Sequence, residues 1–217
     1  MYIVDSYTLA VFFCIITMLG WGSWANTLKL SPPKWEFPLY YWDYSIGLII
    51  TTLIFGFTFG SIGNEGRSFI ADLTQADISA LSSAFLGGVV FNIANLLVVA
   101  ATAIAGLAVA FPIAIGLALV VGVVVNYIAV PLGNPYILFI GLALVVAAII
   151  VDAAAYKRLP QEKTGDQRKG ILISIIAGIL MGFFYRFVAA SMTTNFASPD
   201  AGLLTPYSAM FVFSIGL

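Results

Sequence analysis

The sequence has 217 residues, 61% hydrophobic and 9% charged, with a net charge of −1 and a mean hydropathy of +1.05. A soluble domain keeps roughly a quarter of its residues charged, so this composition excludes an ordinary water-soluble globule and points to an all-α, polytopic transmembrane helical protein in a lipid bilayer. The apolar runs are continuous, which excludes a β-barrel of alternating ten-residue segments. The sequence has no histidine, which excludes His-based triads and histidine proton relays. Cys14 is the only cysteine, so no intrachain disulfide and no Cys-based metal site is expected; no cofactor is expected either.

Seven spans are predicted. The first runs from Tyr7 to Thr27; Asp5, with no Lys or Arg before the apolar core, marks it as a retained helix rather than a signal peptide. Within "GWGSW", Trp21 and Trp24 stand three apart beside Gly20 and Gly22. An indole can stack on a sugar ring or a flat ureide, so both are candidate solute contacts, Trp21 lying deeper; the alternative is anchoring at headgroup level. Asn26 and Lys29 belong to the cytoplasmic end.

After the turn-rich "SPPKWEFP" comes the second span, Tyr41 to Gly60, opened by Asp43 between Tyr41, Trp42 and Tyr44. An acid at a span is a candidate for gating or proton coupling, against a hydrated acid in an aromatic belt. The third span, Ile78 to Ile104, carries Asn92 and Asn95 on one face. Their amides both donate and accept, so they are candidate solute-binding residues; the alternative is interhelical bonding, worth about 0.6–2 kcal/mol.

The fourth span, Leu107 to Val130, contains Pro112, which removes a backbone donor, and Gly116 nearby. They are a candidate helix break exposing backbone to solute, or a tolerated kink. The fifth runs from Pro135 to Ala155, with Asp152 at its inner end. The charged stretch Tyr156 to Gly170 reads as a solvated linker. The sixth span, Gly170 to Ala190, holds Arg186, about 25 Å along at a rise of ~1.5 Å per residue. Arg186 is a candidate gate or solute contact, or it snorkels to the outer headgroups. The seventh, Thr205 to Leu217, is too short to span.

Lys29, Lys34, Lys157, Arg158, Lys163, Arg168 and Lys169 all fall on one side when the spans alternate, leaving Arg67 alone opposite. Basic loops stay cytoplasmic, so the N-terminus is expected outside and the linker inside, in a cell membrane.

Sliding the chain on itself aligns Ile15-Ile16 and Gly22 with Ile175-Ile176 and Gly182, then Pro38 with Pro206 and "SIGL" at Ser45 with "SIGL" at Ser214. The order is first helix on sixth, second on seventh. The expected organisation is a first five-helix repeat over 1–157, a linker over 158–169 and the start of a second, inverted repeat over 170–217. About three further helices are then expected, for a full chain on the order of 330 residues. The alternative is a seven-helix protein ending at a short helix.

The motifs "LGWGSWANTLKL", "YYWDYSIG", "GGVVFNIANLLVVAATAIAGLAVAFPIAIGLALVVGVVVNY" and "GFFYRFVAASM" resemble the drug/metabolite transporter superfamily, within it the glucose/ribose porter and ureide permease branch. The resemblance implies ten helices as two inverted fives, and transport of a sugar, ureide or nucleobase, in some members coupled to protons. Other branches export amino acids or amphiphilic compounds, which is the alternative function.

The expectation is a secondary transporter moving a small polar solute by alternating access, with no nucleic-acid partner. No P-loop supports ATP coupling. Ser23 has no histidine base and no facing aspartate pair is evident, so an intramembrane enzyme is not expected. A non-transporting sensor is a further class, distinguished by binding without flux.

Overall fold

The computed structural model describes residues 1–23, 27, 30, 32, 34–156 and 166–217. The described residues form α1 (Tyr7–Ser23), α2 (Phe37–Phe57), α3 (Phe69–Gln75), α4 (Ile78–Ala105), α5 (Leu107–Ala129), α6 (Pro135–Tyr156), α7 (Gln167–Ser191) and α8 (Pro206–Gly216). Trp24, Asn26, Lys29 and residues 157–165 of the linker lie outside the described residues, while Arg168 and Lys169 already belong to the first turn of α7.

The chain is a polytopic helical membrane protein. Among the described residues four helices are long and apolar enough to cross a membrane, α4, α5, α6 and α7, rather than the seven expected. The described part of α1 ends at Ser23, short of the expected Thr27, and has 17 residues. The first two turns of α2 carry Tyr40, Tyr41, Trp42, Asp43 and Tyr44, which dilute its apolarity. That helix also starts earlier than Tyr41, because Pro38 sits where the missing N–H costs nothing. The 11 residues of α8 rise only about 16 Å.

The contacts divide the chain into two compact units, Met1–Leu81 with Met192–Ile215, and Ser82–Ser191 with Gly216-Leu217. In the first, Phe69 of α3 is the hub. It is 1% exposed and meets Phe57 of α2 and Phe211 of α8 edge-on, at ring separations of 5.3 and 5.5 Å. Gly56 makes room for that ring: a Cβ there would lie 2.8 Å from it. Deeper along the same helices, Thr52 Oγ1 and Ser214 Oγ lie 3.0 Å apart.

In the second unit α4 turns directly into α5 through Gly106, whose φ of 81° suits glycine. Helix α5 packs more extensively on α7 than on α6. The reason is in the side chains: Gly178 and Gly182 of α7 meet Ala114, Ala118 and Val121 of α5, and small residues let helix backbones approach where lipid supplies no hydrophobic drive. Val98, Ala114 and Ala177 form the buried centre, flanked by Leu97, Phe111 and Met181.

Candidate solute site

The most informative of the expected residues is Asn92. It lies on α4 next to Phe91, which is 2% exposed and meets Phe184 of α7 edge-on at 5.0 Å. The Asn92 amide donates through Nδ2 to the Leu217 carbonyl, while its Oδ1 is buried with no hydrogen-bond partner among the described residues. One half of the amide is therefore used between chain segments. Among the described residues the other half is an acceptor without a donor, a state that costs about 1–3 kcal/mol where it persists. Asn95, one turn along the same helix, is 5% exposed.

Pro112 and Gly116 come together in an open apolar depression of about 290 Å³ between α5 and α6, lined also by Leu117, Val120, Val146, Ile149 and Ile150. Pro112 and Gly116 are the residues of the expected helix break. Helix α5 is continuous from Leu107 to Ala129 with Pro112 inside it as its sixth residue, past the four leading N–H groups that have no intrahelical partner, so the proline forgoes one i to i−4 bond without ending the helix. Neither asparagine lines this depression.

Arg186 sits near the end of α7, partly exposed, with no ion pair among the described residues. In the other unit Trp21 is 54% exposed on α1. The exposed carboxylate of Asp43 accepts a hydrogen bond from Trp35 Nε1 at 2.8 Å, so an indole orients it. Trp24 lies outside the described residues.

Sequence reasoning missed a second polar centre. Arg67 Nε lies 3.0 Å from Asp72 Oδ1, a contact of charges without hydrogen-bond alignment, and Asp72 is fully buried. Its Oδ2 accepts from both the backbone N–H and the hydroxyl of Thr205, at 2.7 and 2.9 Å. Ser68 followed by an acid in the next turn is a helix-start pattern that would have found α3.

No solved structure matches this chain. The ureide permease family profile matches residues 40–169, from α2 to the first turn of α7. Ureide permease 2 of Arabidopsis thaliana is 31% identical over 162 residues, covering 72% of this chain and 41% of that protein. Ureide permease 5 of the same plant is 32% identical over 162 residues, covering 71% and 39%. Probable ureide permease A3 of Vigna unguiculata is 31% identical over 130 residues, covering 58% and 35%. The chain thus spans about two-fifths of the length of the Arabidopsis relatives it matches. With a family profile over more than half of its length and relatives above 30% identity, this chain belongs to the ureide permease family, a family of membrane transport proteins rather than enzymes.

Proposed function

We propose that the whole protein is a secondary transporter that moves a small polar solute across a membrane by alternating access, with a ureide as the first choice and a sugar or nucleobase next. The family match over residues 40–169 carries this reading, since the relatives it joins are named ureide permeases. A ureide is rich in N–H donors and carbonyl acceptors. The orphan acceptor of Asn92 suits such a donor, and Asn95, Trp21 and Trp24 are the further solute contacts proposed.

The finer features belong to the same proposal: ten helices as two inverted fives in the manner of the drug/metabolite superfamily, repeats over 1–157 and 170–217, the N-terminus outside and the 157–169 linker in the cytoplasm. Asp43 is the proposed site of proton coupling, and Arg186 the proposed gate. Solute counterflow in proteoliposomes tests the function. Labelled allantoin, uracil, glucose and ribose are offered to the full-length protein, and exchange of one of them is expected; silence from folded protein across the panel would overturn the reading.

A second reading, export of amino acids or amphiphilic compounds, is favoured by one observation. The depression at Pro112 is apolar throughout and Arg186 is outside it. Exchange of a cationic amphiphile or an amino acid, with none of the four solutes above, is its signature.

A further inference from the structure

In the first unit, two segments far apart in sequence are joined by a dense set of polar bonds. Arg67 Nη2 donates to the carbonyls of Asp200 and Leu203, at 2.7 and 3.0 Å. Gln75 donates through Nε2 to the Leu203 carbonyl at 2.9 Å and accepts through Oε1 from the Gly202 N–H at 2.7 Å. Asp72 accepts twice from Thr205, across 133 residues of chain. Backbone bonds run alongside, from Asp77 N–H to the Gly202 carbonyl at 2.9 Å and from Gly66 N–H to the Ala197 carbonyl at 3.1 Å.

A contact that opens in every transport cycle must give its polar groups to water when it parts. Asp72 and Thr205 are 0% and 1% exposed, and Asp72 is half of an ion pair. Parting the segments would break all of these hydrogen bonds together, each of which is net stabilising even after exchange for water. The same segments are also joined by the Phe57, Phe69 and Phe211 rings and by the Thr52 and Ser214 hydroxyls. Polar and apolar contacts both favour permanence.

We propose that the Arg67, Asp72, Gln75 and Thr205 clasp is a permanent tie and not the gate: residues 52–77 and 192–214 stay joined throughout solute exchange. The inference rests on the transport reading, and its test has an arm that does not need flux.

Thr52→Cys with Ser214→Cys, in a Cys14→Ser background of the full-length protein, places two thiols where hydroxyls now lie 3.0 Å apart. The oxidised protein is expected to keep at least about half of the counterflow rate of the reduced protein. Arg67→Met is expected to slow exchange about tenfold, and the disulfide is expected to restore it. Loss of exchange on oxidation, regained on reduction, would overturn the tie and make this clasp the gate.

The second arm reads distance by spin labels on Glu65→Cys and Ser198→Cys, both exposed positions. One distance, unchanged by saturating allantoin or uracil, is expected. A second, longer population would overturn the proposal even in a protein that shows no flux, whereas absent flux with one fixed distance would count against the transport reading alone.

Discussion

A Cβ on Gly178 would stand 2.6 Å from the Ala114 carbonyl oxygen, so α7 rests directly on the backbone of α5. Gly182, one turn further, is in the same position against Val121, at 2.6 Å from its Cβ. Gly178→Ala and Gly182→Ala are each expected to destabilise by about 1–3 kcal/mol through overpacking. Gly141→Ala on α6 is the control, with nothing within 4 Å of the added carbon. Melting temperatures in detergent should fall for the first two and hold or rise for the third; equal behaviour of all three would mean that the α5 and α7 seam is looser than described.

Removing one side of the Arg67 and Asp72 pair should be worse than removing both. Arg67→Met leaves a buried carboxylate beside Thr205, at an expected cost of about 3–5 kcal/mol. The double change Arg67→Met with Asp72→Leu is expected to melt higher than Arg67→Met alone. Additive losses would show that the two charges are not coupled.

Asp43 is held by Trp35 at an exposed end of α2. Asp43→Asn keeps the indole bond but cannot take up a proton, so uptake driven by a pH gradient should disappear while counterflow at equal pH persists. Loss of both would assign Asp43 to solute binding or folding, and retention of both would remove it from coupling.

Because α5 runs unbroken through Pro112, Pro112→Ala should leave solute exchange within about twofold of the parent and should not lower the melting temperature, since alanine restores helix propensity. A large loss of exchange would restore the idea of a functional break at this proline.

The long apolar helices were legible because nothing competes with their pattern. Ile78, Leu107 and Pro135 were read as helix starts and α4, α5 and α6 begin there, each announced by a turn signal or a polar step. Helix α3 has only six residues between "SIGNEGRS" and "QAD", too short for an apolar period to register, so the Ser68 and Asp72 helix-start pattern is the one sign of it in the sequence. The clasp was hidden for another reason. Arg67 looked like a solitary marker of the outer side, and its partners Asp72 and Leu203 are polar neighbours only after folding. At the candidate site, Asn92 was visible as an amide in an apolar run, but which of its atoms is left over depends on the Leu217 carbonyl, a contact no spacing encodes.

The most direct test of the account is counterflow of labelled solute by the full-length protein with Asn92→Asp and Asn92→Leu beside the parent. The account predicts exchange of a ureide by the parent, partial exchange by Asn92→Asp, which keeps an acceptor at Oδ1, and a loss of about tenfold or more by Asn92→Leu, in line with one stranded solute donor at roughly 1–3 kcal/mol. Parent-like exchange by Asn92→Leu would contradict a solute site on α4.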